Sequence, residues 1–394
     1  MIRVGFVFDD DAWLGGINYF RNLLSAISDL PQPRIVPVVI VRSDLPLERL
    51  EGFPSTEIIR TRLVEPGGVL WKARRGLQVF AERDFLFEIF LRRHQIDFLS
   101  HSGHLGKYCS IKTLAWIPDF QELHLPDFFS QSEIARRQRT AREACSSASA
   151  LLLSSDAARG DLPSVCQPCA ASVELLPFVA TVPQSGTPIE ELQARYAFQA
   201  PYFHLPNQFW AHKNHGVVLE ALACLKAQGR HVQILATGDT HDRRRTDYFS
   251  TLMARAADLN VTDTFRVLGR VPYDDLVGLM KASVAVINPS LFEGWSTTVE
   301  EAKSMGKAVI LSDIPTHREQ NPDRGFYFEP HDPVQLADAL SAVLSGFDAL
   351  EDERCKQRAL RLLPERRRKF AERFEDIVLR TLAKSSEPSA SSAV

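Results

Sequence analysis

Short apolar runs alternate with helical segments along these 394 residues, and they do so in two separate sets. In the first half, Val4 to Phe8, Ile35 to Val41, Phe98-Leu-Ser100, Thr113-Leu-Ala-Trp-Ile117 and Ala150-Leu-Leu-Leu-Ser154 read as strands. Asn18 to Ile27 has helical spacing. Such alternation implies a parallel sheet with helices on both faces. Near Pro177 the pattern changes, and Pro183, Gly186 and Pro188 mark a connection holding a short helix from Glu190 to Phe198. A second alternating set starts at Pro201: Tyr202 to Leu205, Val217 to Gln228, Val232 to Thr237, Thr246 to Leu259 and Thr264 to Leu268. The expected fold class is α/β, with two doubly wound domains over 1–182 and 201–364 and a linker over 183–200. This length also favours two domains. A last helix is expected over about 365–384, and the Ser/Ala-rich 385–394 is expected to be disordered.

Composition excludes several function classes. A net charge of -3 provides no global field toward nucleic acid or an anionic membrane. No apolar run approaches the roughly 18 residues of a spanning helix. The start, Met1 to Phe8, reads as a strand and lacks a signal peptide's cleavage region. Six cysteines are scattered, and Cys166-Gln-Pro-Cys169 is a lone pair of thiols with no second pair at zinc spacing. A reducing cytoplasm is the expected location.

The most specific chemistry lies in Glu293-Gly-Trp-Ser-Thr-Thr-Val-Glu-Glu301. Ala282 to Pro289 before it reads as a buried strand, Thr298 to Met305 after it as a helix, and Gly306 to Ser312 as the next strand. In an open parallel sheet such a turn lies at the carboxyl end of a strand, where ligands bind. Gly294 precedes the helix start. Ser296, Thr297 and Thr298 are expected to offer free backbone N–H groups at the positive end of the helix dipole, a seat for phosphate. Glu293 before the seat and Glu301 one turn into the helix suit the hydroxyls of a sugar and a ribose on either side of a diphosphate. Glu300 is expected to be solvated.

Asn288-Pro-Ser-Leu-Phe-Glu-Gly294, Glu301-Ala302, Gly306-Lys-Ala-Val309 and Ser312-Asp313 together resemble the donor-site signature of retaining family 4 glycosyltransferases (glycosyl transferases group 1). The resemblance covers roughly the second half of the chain. It implies the GT-B type, with two Rossmann-like domains facing across a cleft and a C-terminal helix that crosses back to the first. It also implies transfer of a sugar from a nucleoside-diphosphate sugar to a glycan or lipid-linked acceptor, as in bacterial polysaccharide biosynthesis. No cofactor is expected beyond the nucleotide-sugar co-substrate, and no metal.

The same resemblance assigns further positions. Lys213 falls where the family has a lysine that meets the diphosphate. Gln208 stands where the family has an arginine, so one of two cations is missing. His212 or His215 supplies that charge by holding a proton, or is an ordinary loop histidine. Gly238, in Ala236-Thr-Gly-Asp239, ends a strand near the diphosphate. Arg270, in Leu268-Gly-Arg-Val271, lines the base slot or is a surface cation. Gly15 and Gly16 belong to a loop against donor and acceptor, and Asn18 contacts ligand or caps a helix. Asp119 follows Pro118, which stands where relatives have a histidine. That histidine approaches the transferred sugar, and Asp119, with His124 or His104, is a candidate for the same space; each histidine is otherwise a loop or packed residue. Asp9, Asp10 and Asp11 are read as a solvated acidic loop rather than a metal cluster. Leu70-Trp-Lys-Ala-Arg-Arg-Gly76, leading to His94, is read either as a core-facing helix with a basic outer side or as a surface patch for peripheral association with the inner face of the membrane. Two other activities fit the same motifs: a nucleotide-sugar epimerase, and an inactive nucleotide-sugar-binding subunit.

Overall fold

The computed structural model describes residues 1–8, 14–101, 103 and 105–384. Asp9, Asp10, Asp11, His104 and the tail 385–394 lie outside the described residues. The chain forms two units. The first holds Met1–Phe120, Gln131–Val179 and the chain from Glu365 onward, and the second holds Gln121–Ser130 and Ala180–Pro364. The segment Gln121–Ser130 thus leaves the run 1–182 that the sequence assigns to one domain.

The first unit has a seven-stranded parallel sheet. Its strands are β1 (Ile2–Phe8), β2 (Ile35–Arg42), β3 (Glu57–Thr61), β4 (Phe98–Ser100), β5 (Lys112–Ile117), β6 (Ala150–Leu153) and β7 (Ser172–Leu175), in the order β3-β2-β1-β4-β5-β6-β7. Val38 and Ile40 of β2 and Leu99 of β4 pack with Phe87 and Leu91 of helix Phe85–Arg93. Elsewhere in the unit, Phe6 of β1 meets Phe374 with ring centroids 5.7 Å apart. Phe374 belongs to helix Ala349–Ala383, which is longer than the expected 365–384 and carries Pro364 inside it. Its later part is tied down by Arg34 to Glu375 at 2.8 Å and Arg367 to Asp29 at 2.6 Å.

One expectation for this unit changes. The run from Leu70 to His94 is two helices, Val69–Ala81 and Phe85–Arg93, separated where Glu82 takes a left-handed φ of 48° and Asp84 caps the second. The first helix does not turn its apolar side to the core: Val69, Leu70, Leu77, Val79 and Phe80 are all exposed.

The second unit has a six-stranded parallel sheet. Its strands are β8 (Phe203–Leu205), β9 (Ile234–Thr237), β10 (Phe265–Gly269), β11 (Val286–Asn288), β12 (Val309–Ser312) and β13 (Gly325–Phe328), in the order β10-β9-β8-β11-β12-β13. Alternate residues enter different cores. Ile287 and Ile310 join Phe203, Leu205 and Phe328, whereas Val286, Val309 and Leu311 join Val299, Ala302 and Met305 of helix Thr297–Met305. A sheet covered on both faces requires strands that are apolar throughout, which explains their legibility in the sequence. The strand order reverses between β8 and β11. In open parallel sheets, the crevice outside the carboxyl ends at such a reversal is where ligands bind.

Candidate active site

Two buried carboxamides stand at that reversal. Asn207 follows β8 and Asn288 ends β11, and the Asn207 Nδ2 donates to the Asn288 Oδ1 at 3.0 Å. The Asn288 Nδ2 donates to the Ser296 Oγ at 2.7 Å. Ser296 is the N-cap of helix Thr297–Met305, and its Oγ also accepts from the Val299 N–H at 3.4 Å. The strand end and the helix start are therefore locked together by side chains. Gly306 ends the helix at a φ of 68°, with no room for a Cβ, which would lie 2.4 Å from the Cys355 carbonyl oxygen.

Glu293 is presented between the two. Its Oε1 accepts from the Lys213 Nζ at 2.7 Å and lies 2.7 Å from the Ser290 Oγ. The Glu293 carbonyl accepts from the Thr316 hydroxyl at 2.7 Å. Burial alone raises the Glu293 carboxyl, but the Lys213 charge beside it prevails and holds it at about 2. Lys213, expected to serve a diphosphate, is thus paired with Glu293, one of the two acids assigned to the site. An ammonium has three donors, so this bond leaves two for a ligand.

The helix start differs from expectation at one atom. The Ser296 N–H donates to the Gln320 Oε1 at 3.2 Å and is not free for phosphate. The Thr297 and Thr298 N–H groups have no partner among the described residues. Glu300, expected to be solvated, is buried: it accepts from the Lys303 Nζ at 2.9 Å and the Gln320 Nε2 at 3.1 Å. Gln320 also donates to the Ser296 carbonyl at 2.9 Å. It braces the turn that carries Gly294. Glu301 is buried with the Tyr273 hydroxyl 3.5 Å away, and its burial pushes the carboxyl up to about 7.

The loop after β8 and the end of β9 are in contact. Gly238 has a φ of 148°, and a Cβ there would lie 2.4 Å from the Asn207 carbonyl oxygen. Close backbone approach therefore requires glycine at this position, whatever its distance from a ligand. Gly238→Ala is expected to lower the thermal midpoint by roughly 5–10 °C, since strain and overpacking each cost about 1–3 kcal/mol. A scanning-calorimetry midpoint equal to wild type would contradict that packing. The Gln208 Oε1 accepts from the Asp239 N–H at 2.6 Å. A backbone N–H only donates, so the amide oxygen must face it and the NH2 is left as the outer end. Arg270, largely exposed, pairs with Asp239.

Neither histidine replaces the missing arginine. Burial, followed by the Lys213 charge for His212, pushes both His212 and His215 down to about 3, so both are neutral near pH 7. His215 stacks on Phe209 at 4.4 Å. His124 lies in the segment that joins this unit, and its ring packs on Phe292, next to Glu293, at 5.1 Å.

The remaining candidates are in the first unit. Gly15 and Gly16 lie inside helix Leu14–Ser28 rather than in a loop before it. Asn18 is within the helix and is not its cap; its Oδ1 accepts from the Arg21 Nη1 at 3.3 Å. Asp119, just beyond β5, pairs with Arg137 at 2.6 Å. Sequence reasoning overlooked Asn207, Ser290, Thr316 and Gln320 as site residues. Asn207 had a signal, a polar residue just past a short strand and its following proline. Gln320, arriving from the next helix along, had none.

Residues 195–361 match the family model described as glycosyl transferases group 1. The O-antigen chain mannosyltransferase RfbU of Salmonella typhimurium is 30% identical over 106 residues, which are 27% of this chain and 30% of that protein. The match thus spans under a third of this curated relative. A glycosyltransferase from Rickettsia africae superposes with a TM-score of 0.67 at 16% identity, covering 98% of this chain and 99% of its own. Anabaena Alr3699/HepE, solved with UDP and glucose, gives 0.62 at 16% identity, with 98% and 99% covered. These structures show that the fold is that of GT-B glycosyltransferases, with two Rossmann-like domains.

Proposed function

We propose that this chain, whose residues 195–361 match the glycosyl transferases group 1 family model, is a retaining hexosyltransferase of family 4 that takes its sugar from a nucleoside diphosphate. The observation that carries the proposal is the half-buried Lys213–Glu293 pair beside the start of helix Thr297–Met305, at the strand-order reversal of the second sheet. The diphosphate sits at the Thr297 and Thr298 N–H groups, where the helix dipole is positive, with the two remaining donors of Lys213 turned to it. Glu293 orients donor-sugar hydroxyls, and Glu301 holds the ribose. The sugar–phosphate bond breaks first, and negative charge grows on the departing diphosphate. The leaving oxygen then takes the acceptor's proton on the same face of the sugar, so the anomeric configuration is kept. The charge is met by these fixed donors, and the reading assigns no metal or cofactor.

The acceptor is a glycan or a lipid-linked saccharide of a bacterial surface polysaccharide. Support for this comes from the similarity to the O-antigen chain mannosyltransferase of Salmonella. By resemblance, Gly15, Gly16 and Asn18 are assigned to contacts with the donor diphosphate and the acceptor, and Asp119 and His124 to the transferred sugar. The same reading places the chain at the cytoplasmic face of a membrane. Among the described residues no helix is long and apolar enough to cross one. The exposed Val69, Leu77, Val79 and Phe80, with Lys72 and Arg75 on the same helix, fit a surface contact with anionic lipid.

The test is a thermal-shift screen of UDP-, GDP- and ADP-sugars, a mannosyl donor among them, followed by product analysis with the stabilising donor. One nucleotide class is expected to raise the midpoint, and transfer is expected only with acceptor present. Epimerised donor or free sugar formed without acceptor would instead identify the epimerase alternative. No stabilisation by any nucleotide would remove the proposal.

A further inference from the structure

Three thiols gather in the first unit, away from the carboxyl ends of its strands. The sequence puts Cys166 and Cys169 on one loop, and the fold brings Cys145 to them from helix Gln131–Ser147. The three Sγ atoms all lie within 4.8 Å of one another, and all three residues are free cysteines. Backbone bonds hold the set together. The Ala170 and Ala171 N–H groups donate to the Cys145 carbonyl at 3.1 and 3.0 Å, and the Cys166 N–H donates to the Leu162 carbonyl at 2.9 Å. Cys145 is buried, while Cys166 and Cys169 are half-buried, so the cluster is closed on one side and reachable on the other.

The surroundings favour a cation. Two helices end at the cluster: Cys145 is in the last turn of Gln131–Ser147, and Cys166 is the C-cap of Asp156–Val165. A helix C-terminus carries partial negative charge. Arg142, whose Nε donates to the Val165 carbonyl at 3.1 Å, ties the end of one of these helices to the end of the other. We propose that Cys145, Cys166 and Cys169 form a three-thiolate site for a zinc ion. Zinc–sulfur bonds of about 2.3 Å hold tetrahedral sulfurs about 3.8 Å apart, so a movement of about an ångström closes the set. Water takes the fourth position. Each thiol gives its proton to solvent as its bond to zinc forms, so affinity falls as the pH falls. The cluster precedes both β6 and β7, at the amino ends of those strands, and the ion staples helix Gln131–Ser147 to the loop 166–171.

The test is titration of the reduced full chain with Zn2+, followed by dye competition and thiol counting, with Co2+ as a spectroscopic probe. One zinc per chain is expected, with three thiols protected from modification, sulfur-to-cobalt charge-transfer absorption, and a raised thermal midpoint. Cys166→Ala and Cys169→Ala, in a half-buried loop, should each abolish these signals while retaining the wild-type circular dichroism. Cys145→Ala should do the same if it folds. Zinc uptake no greater than that of the Cys166→Ala/Cys169→Ala double variant would overturn the site. So would a Cys166–Cys169 disulfide forming in air from a reduced chain that binds no zinc.

Discussion

Lys213→Ala is expected to lower turnover by about 100- to 1,000-fold, the usual effect of removing one preorganised donor from a developing negative charge. Two features of the structure push the loss toward the upper end. Gln208 brings no charge at the position where the resemblance implies an arginine, and burial leaves His212 and His215 neutral. The substitution also removes the partner of Glu293, the charge that offsets burial there, so that carboxyl moves up. Two roles fail together. Lys213→Arg keeps the charge and should recover part of the rate. Turnover of Lys213→Ala within twofold of wild type would refute the assigned role.

The same pair sets an acid limit. The Glu293 carboxyl is held down in the fold, from 4.5 to about 2, so its contribution to stability is complete above pH 4.5. It is lost as the pH falls through that window, by a few kcal/mol at most. Lys213→Ala should be less stable than wild type at neutral pH, with a shallower loss on acidification. Parallel acid-unfolding curves for the two proteins would contradict the ion pair.

Glu301→Ala is expected to weaken both the sugar nucleotide and the free nucleoside diphosphate by about 10- to 100-fold, because hydrogen bonds to a charged acceptor contribute about 1.5–3 kcal/mol each. Both ligands carry the ribose, so both should weaken alike. Unchanged affinity for both in calorimetry would rule out the contact. Burial pushes this carboxyl up to about 7, so nucleotide affinity should rise with pH through about 7 as the acceptor ionises. Glu301→Gln should flatten that profile. For the free protein the sign is opposite to that of Glu293. A raised carboxyl is without penalty below pH 4.5, and the penalty grows from 4.5 to about 7. Glu301→Gln should therefore be the more stable protein at pH 8, by up to roughly 3 kcal/mol.

The parallel-sheet interiors were legible because residues buried on two faces have to be apolar without interruption. The strands the sequence reading overlooked, β3, β7 and β13, all lie at sheet edges. Glu57-Ile-Ile-Arg-Thr61 is half polar because an edge strand has a neighbour on one side only and is partly solvated. The long basic helix was underestimated for a related reason. Its first part is mostly exposed, and few of its side chains need to be apolar.

The local sequence by itself determined the α/β class and the strand-to-helix turn at Glu293. Both follow from periodicity and capping chemistry that act over a few residues. Pairings between segments far apart in the chain were decided by tertiary structure alone. Glu293 meets Lys213 from 80 positions away, Gln320 occupies the Ser296 N–H, Gln121–Ser130 joins the second unit, and Cys145 meets a loop beyond the next helix. Each brings together elements that are separate in the chain. Its energy depends on distance and burial, quantities that exist only once the sheets have formed.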